Sequence, residues 1–299
     1  MTLAATCMKC ELVIVVGAED YYSDSNRHNK MMFAQAAVRY AGRHGGRFDR
    51  TTVFYFKGLC KFPMTSANGD ASTGTTYFAD GYTDGQIAAM KAALVARKAV
   101  VKQASTWADV ARHLNDTSQR IDGCEKRVQV LVFFAHGDPK SGIWLARSEG
   151  KFLNKASLSA VTGDGFLPEE GLRGRRYNRR HVTSWACQTG NHIDRAPEAL
   201  TMDQRRAGSL AQAMANAWDI NVYASVTQTN YGATFSGGLG GMLKDLGGGR
   251  RIVDGVLWED DGADGSVVSS TGGSGPNLEE GMWKFQPGQS KSYAEMSLD

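Results

Sequence analysis

Continuous apolar runs, rather than alternating ones, recur along the first three quarters of the chain. Leu12-Val13-Ile14-Val15-Val16-Gly17 is β-branched or apolar throughout, the pattern of a strand covered on both faces and therefore central in its sheet. Thr51 to Phe56, Val128 to Ala135 and Asn221 to Val226 read as further strands, as does the run that begins at His181 and stops at Cys187. Gly142-Ile143-Trp144-Leu145 is a short strand after a turn. Segments of helical period stand between them. Asn29 to Tyr40 is rich in Met and Ala and ends near Gly42. Asp84 to Lys102 sets Ile87, Met90, Leu94 and Val101 on one face, Thr106 to Leu114 does the same with Trp107, Val110 and Leu114, and Ser209 to Trp218 with Leu210, Met214 and Ala217. Thr106-x-x-Asp109 has the form of a capping box. Strand and helix alternate, and right-handed crossovers then give an α/β fold: a mostly parallel central sheet with helices on both faces.

Three stretches stand outside this rhythm. Lys57 to Thr83 is a long loop or irregular hairpin, a length at which loops are usually functional or mobile. Gly171 to Arg180 is a basic loop, which admits an anion or acidic partner or a solvated turn. From Gly232 onward the chain is rich in Gly, Ser and Asp, with apolar islands at Val256-Leu257-Trp258 and Met282-Trp283-Lys284-Phe285. The expected organisation is a core over residues 1–231 and a glycine-rich addition over 232–299, with short β-hairpins packed on that core.

Composition narrows the function classes. A chain of 299 residues, 42% hydrophobic and 22% charged, suits a soluble globular protein. Its net charge of +3 gives no support for nucleic acid as a partner. No apolar run reaches the roughly 18 residues of a membrane span, and the first residues lack a secretory leader, so no membrane association is expected. Five cysteines, Cys7, Cys10, Cys60, Cys124 and Cys187, are an odd and scattered set. They argue against a disulfide framework and for a reducing, cytoplasmic setting, with export left only to a route without a cleaved signal. Cys7-x-x-Cys10 has no second pair to complete the four ligands of zinc, so it reads as two ordinary thiols, and no metal or cofactor is expected.

The candidate chemistry lies at two strand ends. Val128 to Ala135 stops at His136-Gly137, and the later run stops at Cys187. In open α/β sheets ligands bind outside the carboxyl ends of the strands, so parallel neighbours would bring this imidazole and thiol together. A cysteine with an unperturbed pKa of about 8.5 needs such a base to act as a nucleophile near neutrality. His181 begins the same strand as Cys187, about 20 Å away at strand rise, and cannot serve. His28, His44 and His113 have no strand-end context and read as surface residues, and His192 would have to fold back from the next turn. Gly137 allows a sharp turn after the histidine, and its N–H, with that of Cys187, is a candidate oxyanion hole. The other reading of the same residues is a buried structural thiol and a strand-end histidine bonded to backbone.

Phe133-Phe134-Ala135-His136-Gly137, then Gly142-Ile143-Trp144-Leu145, then Ser184-Trp185-Ala186-Cys187-Gln188-Thr189-Gly190 together resemble the caspase-like cysteine peptidases, and most of all the CHAT branch related to separase and gingipain. Ala224-Ser225, closing a later strand, is similar too, and the resemblance runs from Leu12 to Tyr231. It implies a three-layer caspase–hemoglobinase-like fold, a Cys187/His136 dyad, an oxyanion hole at Gly137 and Cys187, and peptide-bond hydrolysis without a metal. Members of that family recognise the residue before the scissile bond with charged loops. Here Glu19, Asp20 and Asp24 after the first strand, and Asp138 after the His-Gly, imply an acidic pocket for Arg or Lys, with Trp185 and Ser225 beside it. Self-cleavage in the loop Gly171 to Arg180 would fit such a pocket.

The leading expectation is therefore a cysteine endopeptidase acting on protein or peptide substrates, in the manner of a bacterial effector, toxin or immune protease. The alternative is a catalytically silent scaffold of the same fold that binds a peptide or protein partner. An intact Cys-His pair favours the first. Acyl transfer or amide hydrolysis on a small molecule is a third use of the same dyad.

Overall fold

A computed structural model describes residues 7–18, 22–23, 31–58, 77–78, 81–175, 177–191, 201–226, 229–230, 250–253, 256–259, 269–270 and 282–288. In chain order the main elements are β1 (Met8–Val16), α1 (Met32–His44), β2 (Arg50–Phe56), α2 (Asp84–Ala96), β3 (Ala99–Ala104), α3 (Trp107–Asn115) and β4 (Cys124–Phe134). There follow β5 (His136–Asp138), β6 (Gly142–Ala146), β7 (Lys151–Leu153), β8 (His181–Ser184), α4 (Met202–Ala207), α5 (Leu210–Trp218), β9 (Asn221–Ser225) and β10 (Met282–Phe285).

The central sheet runs β10-β9-β8-β4-β1-β2-β3. All neighbours are parallel except β9 with β10. Strand periodicity divides the core into two layers. Val13 and Val15 of β1, Leu131 and Phe133 of β4 and Val182 of β8 face α3 and α5, among Trp107, Val110, Met214 and Trp218. Leu12, Ile14 and Val16, with Val130, Val132 and Phe134, face α1 and α2, among Phe33, Val38, Met90 and Leu94. An α/β sheet with helices on both faces is thus the architecture.

From β1 the chain steps outward to β2 and β3, then returns to β4 on the other side of β1 and continues to β8 and β9. That reversal puts a topological switch point at the carboxyl ends of β1 and β4, where open α/β sheets form their crevice.

Several local expectations change. The helix expected to reach Lys102 ends at Ala96: Arg97 and Lys98 N–H groups close onto Leu94 and Val95 carbonyls, and Lys98 takes a left-handed φ of 60°. The next residues, Ala99-Val100-Val101, form the edge strand β3 instead. The first helix runs on past Tyr40 to His44. Cys10 lies inside β1 and is buried, which pushes its thiol up to about 11, while Cys7 forms a disulfide with Cys124. The expectation of scattered free thiols is thereby corrected. Their sequence separation of 117 hides a close pairing, because Met8 of β1 stands opposite Glu125 of β4.

The last third of the chain supplies the edge strand β10, with Phe285 fully buried in the α5-side layer. It also supplies a hairpin, Arg250–Val253 with Val256–Glu259, whose Trp258 is buried in the α1-side layer. Among the described residues no helix is long and apolar enough to cross a membrane.

At the amino end of the sheet lies a buried ionic cluster. Glu11 of β1 is fully buried; it accepts from Arg50 Nε at 2.6 Å and Thr52 Oγ1 at 2.6 Å, and its other oxygen meets His113 Nε2 at 3.0 Å and Lys126 Nζ at 3.8 Å. Lys126, also fully buried, donates to the His113 carbonyl. His113 is therefore a core residue of α3 and not the surface histidine its sequence context suggested.

Candidate active site

His136 and Cys187 both stand just beyond paired parallel strands. Ser184 of β8 is in register with Phe133 of β4, and the pairing continues through the Trp185 N–H to the Phe133 carbonyl at 3.0 Å. His136 is three positions beyond Phe133 and Cys187 three beyond Ser184 (136 − 133 = 187 − 184 = 3). The backbones meet there. A Cβ built on Gly137 would stand 2.9 Å from Ala186 Cβ and 3.0 Å from the Cys187 carbonyl oxygen. The expected reason for glycine, a sharp turn, gives way to another: Gly137 lies in β5 opposite Ile143, and what it supplies is space against the cysteine strand. Gly137→Ala is expected to cost about 2 kcal/mol by overpacking and to lower turnover of any Cys187-dependent reaction by at least about tenfold, since small displacements of reacting groups are costly. Thermal unfolding and a rate assay on the same preparation check both.

The imidazole is held by aromatic rings. Phe33 of α1 meets it edge-on with centroids 4.8 Å apart, and Trp144 of β6, its cross-strand partner, lies tilted at 5.7 Å. Trp144 in turn donates its indole N–H to Asp138 Oδ2 at 2.8 Å and carries the Arg147 guanidinium over its face at 4.2 Å. Asp138 also accepts from the backbone N–H groups of Lys140 and Ser141, each at 2.8 Å, and from the Ser141 hydroxyl. Partial burial alone would raise this carboxyl, but the Ser141, Lys140 and Trp144 donors hold it below the ordinary carboxylate value. Asp138 thus organises the β5–β6 hairpin and fixes Trp144 beside His136. The arrangement spends its acceptor capacity inside the hairpin, where the sequence suggested a free pocket acid.

Cys187 is half-buried, at the start of a tightly bonded turn. Gln188 takes a left-handed φ of 53°, a conformation that costs a non-glycine residue on the order of 1 kcal/mol and persists only where its surroundings impose it. Those surroundings are visible. Gly190 N–H donates to the Ser225 carbonyl at 2.9 Å, Asn191 N–H to the Gln188 carbonyl at 3.0 Å, Ala211 N–H to the Thr189 carbonyl at 3.1 Å, and the Thr189 and Ser184 hydroxyls bond at 2.8 Å. The Thr189 hydroxyl also donates to the Ala186 carbonyl. Ser225 is fully buried, and its carbonyl braces this turn through the Gly190 N–H. Trp185 is partly buried against the α1-side layer. Asp20, Asp24, His28, His192 and Cys60 lie outside the described residues. His181 is buried at the far end of β8, its imidazole pushed down to about 3 by burial, with Arg179 and His44 adding repulsion.

One contact had no signal in the sequence. Thr229, just past β9, places its hydroxyl 3.3 Å from Cys187 Sγ and its backbone N–H 3.4 Å from the same atom. In the basic loop, Arg175 caps the Gly171 and Met8 carbonyls and Arg180 the Leu167 and Asp219 carbonyls, so two of its cations are structural, while Arg173 and Arg179 are exposed. Among the described residues no three His, Cys, Asp or Glu side chains converge as a metal would require. No family model matches the chain, and neither a curated protein nor a solved structure matches it.

Proposed function

We propose that the chain is a cysteine endopeptidase with a caspase–hemoglobinase-like core, in which Cys187 is the nucleophile and His136 its acid–base partner. The observation that carries this reading is the contact of the two strand ends. Paired strands in register deliver both residues to the switch-point end of the sheet, and Gly137 lies against the Cys187 carbonyl. His136 takes the proton of Sγ as the sulfur attacks the carbonyl carbon of the scissile bond and a C–S bond forms. The carbonyl oxygen gathers negative charge, toward which the Gly137 and Cys187 N–H groups are the candidate donors. His136 then delivers the proton to the leaving amine as the C–N bond breaks. Water attacks the thioester, loses its proton to His136, and the C–S bond breaks to release the carboxylate and restore the thiol.

A preference for Arg or Lys before the scissile bond rests on Asp20 and Asp24 of the first loop, since Asp138 is engaged in its own hairpin. The test is to incubate the purified chain and its Cys187→Ala variant with a denatured proteome and to identify new N-termini. Cuts confined to the wild type establish the peptidase, and their clustering after Arg or Lys supports the acidic pocket. Identical profiles with and without the thiol would sink the peptidase reading.

A further inference from the structure

Both hydrogen bonds that reach Cys187 Sγ among the described residues come from Thr229, one through its hydroxyl at 3.3 Å and one through its backbone N–H at 3.4 Å. Thr229 opens a two-residue strand, Thr229–Asn230, that pairs antiparallel with Ser269–Ser270, and Thr229 stands opposite Ser270. The side chain that meets the sulfur thus sits on a strand whose partner comes from the glycine-rich C-terminal region. A cysteine side chain has three staggered rotamers, and only a sulfur aimed at the strand-end crevice can meet His136 and a substrate. Donors fixed in space hold the sulfur in one rotamer, and N–H and O–H groups facing sulfur remain favourable as it becomes the thiolate that reacts.

We propose that Thr229 is a positioning residue for the Cys187 thiol, and that the Ser269–Ser270 strand holds it there, so that the glycine-rich third completes the site. The proposal rests on Cys187 being the nucleophile of the preceding section.

The experiment is alkylation of the full chain with iodoacetamide near neutral pH, followed by peptide mass spectrometry at Cys187. In this reaction the sulfur displaces iodide: a C–S bond forms as the C–I bond breaks, and the thiol proton passes to buffer. Thr229→Val, which removes the hydroxyl and keeps the N–H, should react about tenfold more slowly, as expected for one lost hydrogen bond to a charged group. Thr229→Ser should restore the rate to within about twofold of the wild type, which a loss of packing would not allow. Ser270→Pro, which disrupts the short ladder without changing any atom in contact with the sulfur, should slow the reaction as Thr229→Val does. A Thr229→Val thiol that reacts as fast as the wild type or faster overturns the positioning role. A slow Thr229→Val beside a Ser270→Pro of wild-type rate overturns the role of the last third. Alkylation needs no peptide substrate, so the two readings fail separately: a chain that cleaves nothing yet shows this series loses the peptidase and keeps the positioned thiol. In an active chain, Thr229→Val should lower kcat and leave KM unchanged.

Discussion

His136→Ala should lower peptide cleavage by about a thousandfold or more, the scale of a lost general acid–base in a nucleophilic mechanism, with little change in unfolding temperature. The imidazole is only half-buried, and among its ring contacts are Phe33 and Trp144, so truncation removes a modest area from the core. The diagnostic measurement is the combination with Cys187→Ala. Residues that act as one unit are non-additive, so the double variant should be no slower than either single one. Rates that fall in independent, multiplying steps would mean that the two side chains serve different ends. A His136→Ala enzyme of ordinary activity would remove the dyad altogether, and a large drop in stability would make the histidine a packing residue.

The second large effect concerns stability. Glu11→Gln should destabilise the fold by about 3–5 kcal/mol, because removing one partner of a buried ionic cluster leaves the others uncompensated. Here Arg50 would keep its charge without the carboxylate beside it, and the fully buried Lys126 would lose the partner that opposes its desolvation. The pH dependence follows from two shifts of opposite kind. Burial alone would raise the Glu11 carboxyl, but His113, Arg50 and Thr52 hold it at about 2, below its ordinary 4.5. A depressed carboxyl stabilises fully above its unfolded value. That contribution is lost as pH falls from 4.5 towards 2, on the order of 3 kcal/mol in all.

Lys126 shows the depressed-base case. Burial, partly opposed by Glu11, pushes it down from 10.5 to about 8. Its folded form releases a proton more readily than its unfolded form, so its contribution is present above 10.5 and lost as pH falls through 8. Stability should therefore rise across that alkaline window, and Lys126→Met should flatten the rise. His113 is pushed down from its ordinary 6.5 by burial, in spite of the opposing Glu11 carboxylate. Urea unfolding midpoints across pH, wild type against Glu11→Gln, measure the acid limb. An equally steep limb in both would show that the loss comes from other carboxylates.

Much of this was legible in the chain, for a physical reason. Buried parallel strands tend to be apolar on both faces, so β1, β2, β4 and β9 announce themselves as runs and His136 is placed by the same signal, whereas β8, His181-Val182-Thr183-Ser184, is read only together with the Trp185 and Ala186 that lead to Cys187. The capping box at Thr106 is formed as its spacing suggested, with Ser105 and Thr106 N–H groups on Asp109 at 2.9 Å. β3 was hidden because Val101 falls seven residues after Leu94 (101 − 94 = 7), in phase with the preceding helix, although the chain has already turned at Lys98. The ionic cluster and the Cys7–Cys124 bridge were hidden differently. Both depend on which strands lie side by side and in what register, and composition carries no trace of that. Thr229 belongs with them, since its contact is made across 42 residues by a two-residue strand.

The bridge between Cys7 and Cys124 closes a covalent ring around β1 to β3 and α1 to α3. A cut anywhere inside that ring leaves the fragments joined, so a nicked chain would migrate as intact on a gel run without reductant, whereas a cut in the basic loop would show at once. The reductant customarily added to keep a catalytic cysteine reduced would open the ring as well. Under the proposed mechanism, activity and mechanical integrity would respond to the same reagent through different sulfurs, Cys187 in one case and the Cys7–Cys124 pair in the other.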